Sequence, residues 1–234
     1  MLSTSELKRG MKDGVPILLG YFSVSIAFGI QASKNGLSPL AAMVMSLSNL
    51  TSAGQFAALD VIKSAGSLIE MALTTLLINL RYLLMSSALS QKLYQPTHLG
   101  GRLIASFGVT DEIFGISVMQ SPLHWEYTLG AMLLAIPGWV GGTAVGAFAG
   151  ALLPDAVRRA LGVALYAMFM GVVLPPCKKE RALAILVPVS MLVSWLFVTL
   201  FPSVSSGFRI IILAVLISGA AAAFAPVKEG GEAA

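Results

Sequence analysis

Six stretches of this chain, 14–33, 39–59, 127–154, 160–177, 182–208 and 210–227, contain no Asp, Glu, Lys or Arg. A helix that crosses the hydrocarbon core of a bilayer needs about 20 mostly apolar residues, so most of these runs are long enough to cross. Two further stretches, 67–89 and 103–119, are apolar but carry a few ionisable residues. Together the runs occupy nearly the whole chain. They predict an all-α, polytopic membrane helix bundle with seven to eight transmembrane segments, one of them re-entrant or broken. Its boundaries are a cytoplasmic amino-terminal segment at 1–13, a transmembrane domain at 14–227 and a short tail at 228–234.

Other classes fit poorly. A β-barrel requires alternating strands of about 10 residues, whereas these runs are long and continuous. A secretory signal followed by a soluble domain would have one short apolar stretch, not a series. Only 11% of residues are charged, against roughly 25% in a soluble domain. The net charge of +4 is not the footprint of a nucleic-acid binder, because the basic residues are scattered at loops and helix ends. The single cysteine, Cys177, excludes an intrachain disulfide and a cysteine-based metal cluster. His98 and His124 lie outside the apolar runs and in no metal-ligand pattern. No Walker A sequence and no G-x-S-x-G motif occurs, so neither an enzyme nor a bound cofactor is expected.

Orientation and packing also leave marks. Lys8, Arg9 and Lys12 precede the first apolar run and direct the amino terminus to the cytoplasm. The segment 39–61 packs Ser46, Ser48, Asn49, Thr51, Ser52, Gly54 and Gln55 into a short space. Lipid cannot satisfy irregular backbone, so such a segment faces protein or a water-filled cavity. It reads as one polar helix or as two half-helices forming a re-entrant loop. The density of polar residues favours the loop, which leaves seven full spans. The tally of basic residues on the two faces is nearly even in either arrangement. Further on, Gly138, Gly142, Gly146 and Gly150 recur every fourth residue. They form a smooth helix face for close packing against a helix of this chain or of a second subunit.

The ionisable residues at membrane depth are the strongest functional signal, because a charge there is costly and faces the bundle interior. If two antiparallel helices meet at the loop 90–102, Arg81 and Asp111 each lie roughly 13 Å from it at 1.5 Å per residue. An ion pair from Arg81 to Asp111 or Glu112 is then expected. Snorkelling of Arg81 to the headgroups would sit at the limit of its reach. Thr75, Asn79, Tyr82 and Ser86 form a polar stripe on the helix that carries Arg81. The candidate residues for binding or coupling are Asn49, Thr51, Ser52, Gln55, Asn79, Arg81, Tyr82, Thr110, Asp111 and Glu112.

These residues also carry a family resemblance. Gly14-Val15-Pro16, Phe28-Gly29, Gly36-Leu37-Ser38, Ala53-Gly54-Gln55-Phe56, Asn79-Leu80-Arg81-Tyr82 and Thr110-Asp111-Glu112-Ile113-Phe114 appear in order. In this the chain resembles the AzlC family, the large subunits of two-component branched-chain amino acid exporters, over most of 10–180. Where family members often have His, this chain has Tyr82, and a phenol does not directly replace an imidazole in proton transfer. The resemblance implies a secondary transporter in the cytoplasmic (inner) membrane. Its substrates would be valine, leucine, isoleucine and methionine, with a small AzlD-type membrane subunit as partner. A passive channel or facilitator for small apolar solutes, or a structural subunit of a membrane complex, are the alternatives.

Overall fold

In the computed structural model, residues 3–154 and 181–224 are described, together with isolated positions between 155 and 180. The apolar run 160–177 falls largely outside the described residues, and the tail 228–234 wholly so. All regular structure among the described residues is helical. The helices are α1 (Thr4–Lys34), α2 (Pro39–Ser48), α3 (Ser52–Lys63), α4 (Leu68–Lys92), α5 (Leu99–Phe107), α6 (Asp111–Val118), α7 (Trp125–Ala149), α8 (Arg181–Leu200) and α9 (Ser206–Phe224). Of these, α1, α4, α7 and α8 are long and apolar enough to cross a membrane. The basic residues of the amino-terminal segment ride on the first turns of α1, which begins well before the apolar run. Pro16 accordingly sits inside the helix.

The glycine stripe finds its partner within the chain. Tyr127 lies against Gly10, Ala131 against Gly14, Leu18 against Gly138, Phe22 against Gly142 and Ile26 against Gly146. Both numbers rise together, so α1 and α7 run parallel. A Cβ on Gly138 would stand 2.8 Å from the Leu18 carbonyl oxygen, and one on Gly14 would stand 3.0 Å from Ala131 Cα. Only hydrogen fits in that seam. Close backbone approach of this kind supplies van der Waals contact where lipid offers no hydrophobic drive between helices.

Between these two long helices the chain makes two hairpins that each return to the face they came from. In the first, α2 descends from the end of α1 and α3 climbs back. Ala42 and Leu59 share a buried cluster with Phe28 and Ala32 near the end of α1. At the turn, Leu50 joins Ile17 and Tyr21 near the middle of α1. At 1.5 Å per residue, arms of 10 and 12 residues are ~15–18 Å long, about half a bilayer core. The polar segment 39–61 is therefore two half-helices, as its composition favours.

The second hairpin comes from the opposite face. Gly101 in α5 lies against Trp125 at the start of α7, and Gly108 lies against Met132 further up. Ile113 reaches the cluster around Tyr21, and α6 then descends until Gln120 meets Arg9 near the start of α1. The expected span 103–119 is thus not one helix. Gly108-Val109-Thr110 interrupts it, with Gly108 closing α5 and Thr110 opening α6. Parity links the two hairpins. If only one were re-entrant, α1 and α7 would run antiparallel. Each half-helix that starts inside the bundle is capped by a threonine, Thr51 accepting from the Gly54 amide and Thr110 from the Ile113 amide.

The carboxy-terminal pair packs on the outside. The buried Glu70 in the first turn of α4 accepts hydrogen bonds from the Gly207 amide at 3.1 Å and from the Ser205 hydroxyl. It satisfies the Gly207 amide at the start of α9 and matches the positive end of that helix.

Candidate functional site

The two hairpin tips meet halfway along α1 and α4, and the membrane-depth polar residues gather there. Arg81 Nη1 lies 2.9 Å from Asp111 Oδ2. The Arg81 guanidinium also sits 5.2 Å from the centroid of the Tyr82 ring, a cation–π contact that strengthens as water is excluded. Arg81 Nε and Nη2 are buried and have no partner among the described residues. The guanidinium thus has donors left after engaging Asp111, which suits it to hold a further acceptor.

Each tip threonine is tied to a long helix. Thr51 Oγ1 donates to Asn79 Oδ1 on α4 at 2.7 Å. Thr110 Oγ1 lies 2.7 Å from the Tyr21 hydroxyl on α1, which is also 2.6 Å from Glu112 Oε2. The two neighbouring carboxylates are therefore separated in role by the helical turn: Asp111 faces Arg81, and Glu112 faces Tyr21. A phenol has one proton to give. It donates to Glu112 when that carboxylate is ionised. When Glu112 is protonated the acid donates to Tyr21, leaving the phenol proton for Thr110. The Tyr21 hydroxyl thus links Glu112 to the tip threonine.

A second polar chain runs behind this one. Tyr21 packs edge-on against Trp139 with ring centroids 5.4 Å apart. Trp139 Nε1 donates to Gln55 Oε1 at 2.7 Å, and Gln55 Nε2 donates to Ser46 Oγ at 3.3 Å. Ser46 and Thr143 share a hydrogen bond of 2.8 Å. Gln55 consequently faces α7 rather than Arg81. Its place is in the wall that fixes the first hairpin, not in the charged cluster.

The candidates divide accordingly. Thr51, Asn79, Arg81, Tyr82, Thr110, Asp111 and Glu112 come together at the tips. Asn49 and Ser52 are half-buried at the first tip and make no side-chain hydrogen bond among the described residues. Gly138, Gly142 and Gly146 are buried in the α1–α7 seam. The sequence reading overlooked Tyr21, Trp139 and Thr143. The available signal was chemical: a Tyr hydroxyl and a Trp N–H in the middle of uncharged runs need partners when buried.

This arrangement is that of a polytopic α-helical membrane protein with a charged centre where two short helical hairpins meet. The family model for the AzlC protein matches residues 16–153, from within α1 to just past the end of α7. The inner membrane protein YgaZ of Escherichia coli is 30% identical over 190 residues, covering 78% of each chain. An uncharacterized membrane protein of Archaeoglobus fulgidus is 35% identical over 186 residues, covering 78% of this chain and 82% of its own. A Helicobacter pylori membrane protein is 26% identical over 153 residues, 62% of this chain and 66% of its own. No solved structure matches the chain. The chain belongs to the AzlC family of membrane proteins.

Proposed function

We propose that this protein is a proton-coupled secondary transporter that exports branched-chain amino acids, valine, leucine and isoleucine with methionine as a further substrate. The observation that carries this reading is the Arg81–Asp111–Glu112–Tyr21 cluster at the meeting point of the hairpin tips. Charged groups at that depth are expensive, and those that are retained mark substrate, ion or proton pathways. The cluster offers complementary charge to a zwitterion. The spare donors of Arg81 and the amide-rich start of α3 suit a carboxylate, and Glu112 suits an ammonium or the coupling proton. Residues 14–227 form the transporter domain in this reading, and no enzymatic step is assigned to it.

The membrane arrangement follows the same reading. With both hairpins re-entrant, the crossing helices among the described residues are α1, α4, α7 and α8. Lys8, Arg9, Lys12, Lys92 and Arg102 then lie towards the amino-terminal face, and Lys34, Lys63 and Arg209 towards the opposite one. That bias supports a cytoplasmic amino terminus in the cytoplasmic membrane. The exposed apolar faces of α4 and α8 leave surface for lipid and for a small AzlD-type subunit.

The test is valine and leucine efflux from loaded cells expressing this chain with and without an AzlD-type partner. Efflux that needs both proteins and collapses with a protonophore supports the proposal. Efflux that is insensitive to the protonophore points to a passive facilitator instead.

A further inference from the structure

The first six helices repeat one design with opposite polarity. A long helix (α1) is followed by a hairpin from the far face (α2 and α3). A second long helix (α4), antiparallel to the first, is followed by a hairpin from the near face (α5 and α6). The details correspond as well as the topology does. Ser38 and His98 cap the first arms, accepting from the amides of Ala41 and Gly101. Thr51 and Thr110 cap the second arms. Each tip threonine bonds the long helix of the other half, Thr51 to Asn79 on α4 and Thr110 to Tyr21 on α1. Inverted halves of this kind let one chain adopt two conformations related by a pseudo-two-fold axis in the membrane plane, around a fixed midplane site.

The halves are not in the same state. In the first, the crevice between the long helix and its hairpin is filled by Phe28, Ala32, Ala42 and Leu59, all fully buried. In the second, the corresponding crevice between α4 and α5 holds a cavity of about 300 Å³. Arg102 and Ser90, joined by a 2.8 Å hydrogen bond, line its outer end near the amino-terminal face. Leu89 and Leu123 line it near that same face, and Ser86, Ser106 and Val109 line it further in, with Val109 immediately preceding Thr110. The cavity therefore runs from Arg102 towards the hairpin tip, between leucine, valine and serine side chains. Its volume is at the small end of the ~300–1,000 Å³ typical of small-molecule sites, a size for one amino acid rather than a peptide.

We infer that the α4–α5 cavity is the access chamber for the substrate on the amino-terminal face, and that the structure is the conformation open to that face and closed to the other. The chamber takes a small zwitterion with a branched apolar side chain. Its carboxylate meets Arg102 and its side chain lies along Leu89, Leu123 and Val109. This rests on the transport reading for the identity of the solute. The opposite conformation closes α5 on α4 and opens α2 from α1.

The test places a single thiol in the chamber, Ser106→Cys in a Cys177→Ser background, in sealed vesicles of known orientation. A membrane-impermeant methanethiosulfonate reagent is applied to one face at a time, with and without leucine. The expected result is labelling from the amino-terminal face only, slowed several-fold by leucine, with Arg102→Gln weakening that protection. Labelling from neither face, or equally from both, overturns the chamber whatever the substrate. One-sided labelling that leucine does not slow, in a protein whose parent exports leucine, overturns the binding role. Absence of leucine export by the parent protein with its partner faults the proposed function instead, and the sidedness of labelling still decides the chamber.

Discussion

Arg81 on α4 and Asp111 at the start of α6 form an ion pair of 2.9 Å in the middle of the bundle. It is the one salt bridge among the described residues that joins two helices. It holds the tip of the second hairpin against a membrane-crossing helix. Asp111 and Arg81 are about a fifth and a third exposed, so the pair has lost much of its water.

Removing one partner leaves a charge stranded at membrane depth. Arg81→Gln and Asp111→Asn should each lower stability by about 2 kcal/mol, somewhat less than the 3–5 kcal/mol of a fully buried pair. The double variant should recover much of that loss, because neither charge is then left alone. Thermal unfolding in detergent of the three variants measures the coupling. Additive losses in the double variant contradict the pairing as a structural unit.

Tyr21→Phe removes the hydroxyl shared by Thr110 and Glu112 while keeping the ring against Trp139. The expected loss of stability is only ~1 kcal/mol, the net worth of a typical hydrogen bond. Its effect on transport should be larger, with pH-gradient-driven leucine export reduced many-fold. Flux assays beside a melting curve separate the two effects. A variant that exports like the parent would show that the hydroxyl plays no part in coupling.

The α1–α7 seam gives a contrast between glycines. A Cβ at Gly142 would collide with Ser25 Oγ and the Phe22 carbonyl. Gly142→Ala should therefore destabilise by ~1–3 kcal/mol, the usual range for overpacking. Gly115 and Gly20 face open space. Alanine there should be neutral or stabilising by up to ~1 kcal/mol, through helix propensity. Expression level and melting temperature of the three variants rank them.

Gln55→Leu leaves the buried Trp139 N–H and Ser46 hydroxyl short of a partner. A loss of ~1–3 kcal/mol follows from an unsatisfied buried donor. Trp139→Phe on the same background should add less than it does alone, because the N–H it removes is already unpaired. A double-mutant cycle by thermal unfolding tests this, and full additivity would contradict the shared bond.

Much of this architecture is legible in the sequence. Uncharged runs require a membrane, and the i+4 spacing of Gly138, Gly142 and Gly146 shows a packing face, although not its partner. The Arg81–Asp111 pair is expected because both residues lie at similar distances from the loop 90–102. The pair forms although 103–119 is not one helix, because Thr110 turns the chain at about the depth of Arg81. The second hairpin was harder to see than the first. Its turn holds few polar residues, and the surviving signal is local: Gly108 as a stop, then a Thr cap followed by Asp111 and Glu112 in the first turn. Tyr21 and Trp139 escaped notice because hydropathy counts them as apolar, while their polar tips anchor the network. The division between Asp111 and Glu112 depends on which way each points from the start of α6, which spacing alone leaves open.

The most direct test of the central claim is leucine export driven by an imposed pH gradient in proteoliposomes holding this chain and an AzlD-type protein. Asp111→Asn and Glu112→Gln are compared with the parent protein. The account predicts that both variants lose gradient-driven export, and that Glu112→Gln still exchanges leucine for leucine when no gradient is applied. Export by both variants at the parent rate would contradict it, and would leave the charges at the hairpin tips as a structural clasp.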